Sequence, residues 1–453
     1  MQTFDLIVIG AGSGLNVASA TAAKGMKVAI VEKGPMGGTC LNRGCIPSKI
    51  LIESADVAEF IKKSSGFGIK SKITSIDFKS IVSKASRIVD KEARDIKEGI
   101  LKGKNTTLFN AEAKFIGERT LKAGSETITG GKIIIAAGTR PSVPKIDGLG
   151  NVKFMTSDEA LRLKKLPKTL TILGGGYIAA ELAHFFGSLG SKINIIQHNP
   201  VLVPNEDEEI AIKFTEVFRK KYSLFLDTDA VGVHKKGKSF VVDAKGPKGA
   251  KKIISDSLLV ATGRTPNTDS LDVAKTGVEV NQFGYIKTND FLETTCPNIW
   301  ALGDIAGKYL FKHSANLEAQ YAYNNAVLGQ KIAVDYSAMP HAIFSSPQVA
   351  GVGMREQDLK EKKMDYAAGK YEFIKTGMGL ALQDKDGFVK IFADRRTKKI
   401  LGCHIIGMEA STLIHEVVLA MKNNLTTDAI RETIHVHPAL SEVVQRAVNS
   451  IRW

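Results

Sequence analysis

Cysteine is scarce in this chain, with only four among 453 residues. Cys40 and Cys45 are separated by four residues, whereas Cys296 and Cys403 stand alone and are interpreted as packing residues. No second Cys or His pair lies near Cys40 and Cys45, and a zinc site needs a full set of closely spaced ligands. We therefore expect no metal site. Spacing alone leaves two interpretations of the pair open, a redox disulfide and two buried thiols.

Long hydrophobic runs are also missing. No run approaches the ~20 apolar residues that span a bilayer, so no membrane segment is predicted. The opening residues, Met1 to Leu6, lack a basic region and lead into a predicted strand, which argues against a signal or transit peptide. We therefore expect a cytoplasmic protein. Structural disulfides are rare in that compartment, so a bond between Cys40 and Cys45 would be catalytic.

Acidic residues are fewer than basic ones. Lys and Arg number 62 against 47 Asp and Glu, which gives a formal net charge of +15. The lysines are scattered singly or in pairs, without a basic helix or interleaved aromatic side chains, so no nucleic-acid interface is predicted. We interpret the excess as a solvated surface that still attracts anionic nucleotides or an acidic substrate.

Length and composition predict a globular protein with several domains. Hydrophobic residues make up 43% of the chain and charged residues 24%, both ordinary values. A chain of 453 residues exceeds what one hydrophobic core holds, and predicts about two to four domains. Helical spacing of apolar residues predicts one long amphipathic helix over 77–102.

A nucleotide-binding pattern occupies the start of the chain. An apolar run from Phe4 to Ile9 precedes a glycine-rich turn with Gly10 and Gly12, and a helical segment follows. The next strand ends at Glu32, at the spacing where a carboxylate meets a ribose hydroxyl. The third fingerprint position is Leu15 instead of Gly or Ala, which leaves open how closely helix and strand pack.

A second pattern of the same kind begins near Leu170. Gly174, Gly176 and Ala179 fit G-x-G-x-x-A. Its second strand ends in Gln197 and His198 instead of an acid. Gln197 can hydrogen-bond a ribose hydroxyl and His198 can meet a phosphate, so the pattern leaves the choice between NAD and NADP open.

Two buried strands end in similar glycine turns, Ala136-Ala137-Gly138 and Ala261-Thr262-Gly263. This repetition predicts two copies of one nucleotide-binding plan. A further apolar run ends at Asp304, which suits either a ribityl hydroxyl or a helix cap. Near the C-terminus, Glu442 follows His437 by five residues, a pattern that suits an imidazole general base oriented by a carboxylate.

Together these segments resemble the flavoprotein disulfide reductase family, and more closely its dihydrolipoamide dehydrogenase branch. The most specific motifs are GGTCLNRGCIPSK, GGGYIAAEL, ATGRTPN, ALGD and HVHPALSE, in the family's order over nearly the whole chain. The resemblance implies an α/β fold with two Rossmann-like dinucleotide-binding domains and a C-terminal α+β dimerisation domain. The expected segments are 1–145 and 267–335 for the FAD domain, 146–266 for the NAD(P) domain, and 336–453 for the dimerisation domain.

The resemblance also implies the cofactors and the residues that hold them. FAD is expected on Gly10, Gly12, Glu32, Ala137, Gly138 and Asp304, and a nicotinamide dinucleotide on Gly174, Gly176 and Ala179. The other expected cofactor-binding residues are Lys49, Tyr177, Gln197 and Gly263. Lys49 and Glu181 match an ion pair beside the flavin, and Tyr177 matches an aromatic lid over it. Cys45 is then the sulfur next to the flavin and Cys40 the exchange thiol. His437, with Glu442, is expected to act across a homodimer.

The implied activity is FAD-dependent oxidation of dihydrolipoamide with NAD⁺ as acceptor. The substrate would be a small dithiol, lipoamide, free or carried on an acyltransferase subunit. The alternative is an NAD(P)H-dependent reductase of a small disulfide, similar to mycothione or glutathione reductase, which the missing acid at Gln197 and the segments GAGSGLN and ASTLIHEVV favour. A third interpretation, a catalytically idle scaffold, conflicts with intact Cys40, Cys45, His437 and Glu442.

Overall fold

Short runs of β-branched and aliphatic residues form the strands, and segments with helical spacing form the helices. The computed structural model describes residues 1–453. The strands are β1 (Gln2–Ile9), β2 (Val28–Val31), β3 (Thr106–Phe109), β4 (Ala113–Gly117), β5 (Thr120–Ala123), β6 (Glu126–Ile135), β7 (Thr139–Pro141), β8 (Thr169–Leu173), β9 (Lys192–Ile196), β10 (Ser223–Phe225), β11 (Asp229–Lys236), β12 (Ser239–Gly246), β13 (Gly249–Ser255), β14 (Ser257–Val260), β15 (Arg264–Pro266), β16 (Ile299–Ala301), β17 (Pro340–Ile343), β18 (Gln348–Gly353), β19 (Tyr366–Glu372), β20 (Phe388–Asp394) and β21 (Ile400–Gly407).

The helices include the long segment that the sequence predicts over 77–102, which the structure begins at Phe78. They are α1 (Gly14–Ala23), α2 (Gly38–Arg43), α3 (Cys45–Lys63), α4 (Phe78–Lys102), α5 (Ser157–Ala160), α6 (Tyr177–Ser188), α7 (Glu208–Lys221), α8 (Lys312–Ala322), α9 (Glu356–Glu361), α10 (Gly377–Ala381), α11 (Ala410–Lys422), α12 (Thr427–Glu432) and α13 (Glu442–Asn449). None of them combines the length and the hydrophobicity that crossing a membrane requires.

The chain forms two compact units. Unit 1 comprises residues 1–50, 79–142 and 263–335, and unit 2 comprises residues 51–78, 143–262 and 336–453. Unit 1 is built on a seven-stranded sheet of order β3-β2-β1-β6-β5-β4, in which β16 also pairs with β6. Strands β1, β2, β3, β6 and β16 are parallel. Residues 6–9 of β1 are buried on both faces of the sheet, which explains their unbroken apolar run.

Unit 2 contains three sheets. A four-stranded parallel sheet has the order β10-β9-β8-β14, and a three-stranded antiparallel sheet has the order β11-β12-β13. The C-terminal segment forms a five-stranded antiparallel sheet of order β17-β18-β21-β20-β19. Helices α11 and α13 contribute Ile414, Val417, Val443 and Ala447 to its core. This part of unit 2 is therefore of the predicted α+β type.

The two parallel sheets repeat one topology. The order β3-β2-β1-β6 in unit 1 corresponds to β10-β9-β8-β14 in unit 2, and every neighbouring pair is parallel. In each sheet the central strand, β1 or β8, leads into a glycine loop and then a helix. The structure thus confirms the predicted fold class, two Rossmann-like dinucleotide-binding folds with a C-terminal α+β part.

Candidate active site

The first glycine of each loop makes the same tight turn. Gly10 has a φ of +103° and Gly174 a φ of +102°. A Cβ on Gly10 would lie 2.3 Å from the carbonyl oxygen of Ala136, and a Cβ on Gly174 would lie 2.4 Å from that of Ala261. Only glycine fits both the backbone angle and the close approach. The two loops therefore share the same backbone turn and the same close contact with a carbonyl oxygen.

The second glycine of each loop lies beside open space. A Cβ on Gly12 would have Gly38 Cα, at 3.9 Å, as its nearest neighbour, and a Cβ on Gly176 would meet nothing within 4 Å. Helices α1 and α6 follow these loops, and neither has a side-chain hydrogen bond at its N-cap, Ser13 or Gly176. An open backbone surface at an uncapped helix N-terminus fits the pyrophosphate of a dinucleotide.

The third fingerprint position departs from the usual pattern in the first loop. A Cβ on Gly14 would lie 2.8 Å from Val8 Cγ1 and 2.9 Å from Ala136 Cβ, so Gly14 provides the close contact between helix and strand. Leu15 is half-buried and lines a cavity instead. In the second loop the small residue is Ala179, which is fully buried. The helix packs closely in both loops, and Leu15 does not prevent it.

The residue after the second strand also differs between the loops. Glu32 Oε2 accepts a hydrogen bond from the Ala11 amide at 2.8 Å, and Oε1 accepts one from the Gly34 amide at 2.7 Å. This carboxylate is fixed at the strand edge where a ribose would bind. Its counterpart in unit 2 is Gln197, a buried neutral side chain against the other loop, where a Cβ on Gly175 would lie 2.9 Å from Gln197 Cδ.

His198, next to Gln197, has a hydrogen-bond partner from another strand. Its Nδ1 lies 2.7 Å from Asp229 Oδ1, and both side chains are exposed. Because an ionised carboxylate only accepts hydrogen bonds, His198 Nδ1 donates this one. A carboxylate is therefore present at the edge of the second parallel sheet, although the sequence places none at the end of β9.

The glycine turns after β6 and β14 are similar. Gly138 has a φ of +63° and Gly263 a φ of +122°, and a Cβ on either would meet no atom within 4 Å. The carbonyl oxygen of Ala137 accepts a hydrogen bond from Asn267 Nδ2 at 2.8 Å, which fixes the first of these turns. Both turns leave open backbone at the C-terminal edge of their sheet, the edge where dinucleotides bind.

Asp304 is held by a network and not by a helix cap. Its Oδ2 accepts a hydrogen bond from Thr139 Oγ1 at 2.8 Å. Arg264 Nε donates to the same Thr139 oxygen at 2.6 Å and lies 3.8 Å from Asp304 Oδ2. Thr139 and Arg264 are not among the site residues that the sequence predicts. Their only signal is that each directly follows a repeated glycine turn.

Cys40 and Cys45 lie where two helices meet. Cys40 is in the middle of α2, and Cys45 is the first residue of α3. A Cβ on Gly44, between them, would lie 3.0 Å from Thr39 O and 3.3 Å from Cys40 Cα, so the tight junction favours glycine. Both cysteines are in the thiol form in this structure. The positive end of α3 favours a negative charge on Cys45.

The two thiols affect each other electrostatically. A hydrogen bond with Cys45 raises the pKa of the Cys40 thiol well above its usual value, and burial and charge on Cys45 act in the same direction. The positive charge of Lys312 lowers the pKa of Cys40. The geometry thus favours one negative charge on the pair at a time, with the proton kept on Cys40.

A cavity of about 930 Å³ in unit 1 borders Cys40. Its aliphatic wall consists of Leu15, Ala22, Ala23, Ile30, Leu41, Ile46, Ile96 and Ile100. Its polar side chains belong to Asn16, Ser19, Glu92, Lys104, Asn105, Thr106 and Lys312. Lys312 Nζ donates to Ser13 Oγ at 2.9 Å, and Ser13 donates to Asn316 Oδ1. Lys312 could not be predicted as a site residue, because no motif in the sequence around it connects it to Cys40.

The residues predicted beside the flavin fall in different units. Lys49, on α3, belongs to unit 1. Its Nζ lies 3.4 Å from Ser48 Oγ. Glu181 belongs to unit 2, is buried in α6, and accepts a hydrogen bond from the Phe344 amide at 3.1 Å. Tyr177, the first residue of α6, is exposed. The ion pair between Lys49 and Glu181 stays a prediction.

His437 and Glu442 form the predicted pair. His437 Nδ1 donates to Glu442 Oε1 at 3.0 Å, and Oε2 accepts a hydrogen bond from the Ala439 amide at 3.1 Å. The hydrogen bond from His437, followed by that from Ala439, lowers the pKa of Glu442. The His437 side chain is 75% exposed. Its Nε2 is therefore left with a lone pair that can accept a proton.

Comparisons with known proteins match nearly the whole chain to one family. The family model described as pyridine nucleotide-disulphide oxidoreductase matches residues 4–326, and the model of that family's dimerisation domain matches residues 339–448. A dihydrolipoyl dehydrogenase of Geobacillus stearothermophilus is 36% identical over 453 residues, which cover 98% of this chain and 95% of the relative.

Other relatives carry different activities in their names. A mycothione reductase of Mycobacterium tuberculosis (strain H37Rv) is 33% identical over 464 residues, covering 100% of both chains. Among solved structures, the HOCl-induced flavoprotein disulfide reductase RclA from Escherichia coli matches with a TM-score of 0.88 at 27% identity. That match covers 98% of this chain and 99% of RclA.

Proposed function

Because the chain belongs to the pyridine nucleotide-disulphide oxidoreductase family, we propose that it oxidises dihydrolipoamide to lipoamide with NAD⁺ as electron acceptor. FAD and NAD(P) are the cofactors of this family, and the chain is a flavoprotein oxidoreductase acting on sulfur groups. The observation that carries the proposal is the adjacent Cys40 and Cys45, with Cys40 bordering a cavity whose wall is largely aliphatic. Lipoamide fits this wall, because its dithiolane ring is attached to a neutral aliphatic chain.

Cys40 and Cys45 perform the sulfur exchange. A thiolate of dihydrolipoamide attacks Cys40 Sγ, the Cys40–Cys45 disulfide breaks, and Cys45 leaves as a thiolate. The second substrate thiol then attacks the substrate sulfur bound to Cys40, which closes the lipoamide ring, releases Cys40 and gives the proton of the second thiol to solvent. Two electrons have then moved from the substrate to the cysteine pair. The N-terminal position of Cys45 on α3 stabilises its negative charge.

His437 moves the proton in this exchange. Its Nδ1 is bound to Glu442, so Nε2 accepts the proton of the attacking thiol and later returns it to Cys40. We propose that His437 acts on Cys40 of the partner subunit in a homodimer. The match of residues 339–448 to a dimerisation domain supports this arrangement.

The two glycine-rich loops and the strand ends near them would bind the two cofactors. FAD, when bound, exchanges electron pairs between the cysteine pair and the nicotinamide. Gly10, Gly12, Glu32, Ala137, Gly138 and Asp304 would hold FAD, and Gly174, Gly176, Tyr177, Ala179, Gln197 and Gly263 the nicotinamide dinucleotide. Lys49 and Glu181 would set the charge beside the flavin.

A second candidate activity is NAD(P)H-dependent reduction of a small disulfide. The polar part of the cavity favours it, since Asn16, Ser19 and Glu92 offer hydrogen bonds that a lipoyl chain does not use. Lys312 adds a positive charge in the same wall. A disulfide carrying sugar, amide or acidic groups would use these side chains.

Steady-state turnover separates the two activities. Dihydrolipoamide with NAD⁺ or NADP⁺ is compared with NADH or NADPH oxidation by lipoamide, mycothione disulfide and glutathione disulfide. The proposal expects dihydrolipoamide and NAD⁺ to give the highest kcat/KM. A Cys45→Ser variant should lose turnover of every disulfide substrate, and parental turnover by that variant would contradict the roles given to the cysteines.

A further inference from the structure

The second nucleotide loop lacks the negative charge that the first one has. Glu32 binds the backbone of the first loop through its carboxylate, whereas Gln197, its counterpart, is neutral. The Gln197 side chain is 6% exposed, and its Nε2 donates to the Val201 carbonyl oxygen at 3.4 Å. Residue 197 therefore provides no charge that distinguishes the 2′-hydroxyl of NAD from the 2′-phosphate of NADP.

A carboxylate reaches this edge of the sheet from β11. The chain between β10 and β11 runs beside the end of β9, because the Thr228 amide donates to the Gln197 carbonyl oxygen at 3.0 Å. Asp229 follows directly and binds His198 Nδ1 at 2.7 Å. The His198 and Asp229 side chains are 77% and 60% exposed, so a bound nucleotide can contact them.

The segment that follows β9 offers no cationic side chain for a phosphate, and Lys251, whose Nζ lies 5.6 Å from the centre of the Phe225 ring, is a lysine beside the end of β10. Residues 197–203 contain no Lys or Arg. Lys245 is the cross-strand neighbour of Asp229, yet the Asp229 carboxylate is hydrogen-bonded to His198. A phosphate monoester carries roughly 1.5 to 2 negative charges near pH 7 and would be repelled by Asp229. A ribose hydroxyl can instead donate a hydrogen bond to a carboxylate.

We propose that Asp229, oriented by His198, replaces the acid missing at Gln197 and makes this protein select NAD over NADP. The inference rests on the proposed function only for the nucleotide site, not for the identity of the thiol substrate. Because both side chains are exposed and screened by solvent, the contribution of Asp229 to selectivity should be on the order of tenfold.

Nucleotide binding and flavin reduction test this inference without any disulfide substrate. Calorimetry on the FAD-loaded full-length protein gives dissociation constants for NAD⁺ and NADP⁺. Anaerobic loss of flavin absorbance gives rates with NADH and NADPH. The parental protein should bind NAD⁺ more tightly and react faster with NADH. Equal or tighter binding of NADP⁺ would overturn the inference.

Substitutions assign the effect to one carboxylate. Asp229→Asn should shift the NAD/NADP ratio of dissociation constants about tenfold toward NADP. Asp243→Asn is the matched control, since Asp243 lies in the same three-stranded sheet and pairs with His234 at 3.3 Å. It should leave the ratio unchanged. Adding Gln197→Glu to Asp229→Asn should restore the preference for NAD. Equal ratios in the Asp229→Asn and Asp243→Asn proteins would refute the role of Asp229.

Two further outcomes keep the inference separate from the proposed function. If Asp229→Asn does not fold, as judged by its melting temperature, Asp229→Ser and His198→Gln test the same pair. A protein that selects NAD through Asp229 but does not oxidise dihydrolipoamide contradicts the substrate alone. Full turnover of dihydrolipoamide with a ratio that Asp229 does not affect contradicts the inference alone.

Discussion

Gly12→Ala would place a methyl group on the open side of the first glycine loop. Its nearest protein atom would be Gly38 Cα at 3.9 Å, an ordinary contact distance, so the fold should be unaffected. A pyrophosphate on this loop would have to move away by roughly 0.5–1 Å, which breaks hydrogen bonds that are about 2.9 Å long. Each such bond to a charged group contributes about 1.5–3 kcal/mol, so losing one or two predicts roughly 10²-fold weaker FAD binding.

The FAD content of the purified protein and the dissociation constant on reconstitution measure this effect. Gly176→Ala is the matched variant, because its Cβ would meet no protein atom within 4 Å. It should keep FAD and weaken NAD(P) binding by a similar factor. The assignment of the two loops would be refuted if Gly12→Ala bound FAD as tightly as the parent. Loss of FAD in the Gly176→Ala protein alone would reverse the assignment.

Three further variants test other parts of the molecule. The lowered pKa of Glu442 keeps its carboxylate ionised, and the pair with His437 is lost only as pH falls through that lowered value. Glu442→Gln should therefore reduce kcat for dihydrolipoamide roughly 10²-fold at neutral pH. Glu416→Gln, beside His435, should change kcat little, and equal effects would contradict the assignment. Because Lys312 lowers the pKa of Cys40, Lys312→Met should move the pH profile of Cys40 alkylation in the reduced protein upward, since the thiolate is the reactive form. Lys104→Met, in the same cavity, is the control, and an unchanged profile for Lys312→Met would count against the interaction. Lys390 lies 3.0 Å from the fully buried Asp207, so Lys390→Met should destabilise unit 2 by roughly 3–5 kcal/mol, measured by chemical denaturation. Lys370→Met, at the exposed pair with Glu209, should cost about 1 kcal/mol or less, and a similar loss in both would argue against burial as the cause.

Local patterns in the sequence predicted the parts of the fold that local chemistry determines. Gly10 and Gly174 are predictable because no other residue combines a φ near +100° with contact to a neighbouring carbonyl group. The helix over 77–102 is predictable because its apolar residues recur at helical spacing in the sequence. The helix in the structure is 25 residues long. The repeated glycine motifs predicted two copies of one nucleotide-binding plan, and the two parallel sheets share one strand order.

The sequence could not predict contacts between distant segments. His198 and Asp229 meet only because the chain after β10 returns along the end of β9. Lys312 affects Cys40 only because α8 packs against α1, far along the chain. Such contacts depend on tertiary structure, and no periodicity or motif in either segment indicates them. The roles of Lys49, Glu181 and Tyr177 stay predictions for the same reason.

Gly14, and not residue 15, provides the close contact between helix and strand that the third position of the usual fingerprint provides. Since Gly14 already lets α1 approach Val8 and Ala136, the next residue is free to carry a large side chain. Leu15 uses this freedom to form part of the wall of the cavity beside Cys40. Residue 15 can therefore change in size or polarity, and with it the shape of the cavity beside Cys40, while the contact of α1 with Val8 and Ala136 stays the same.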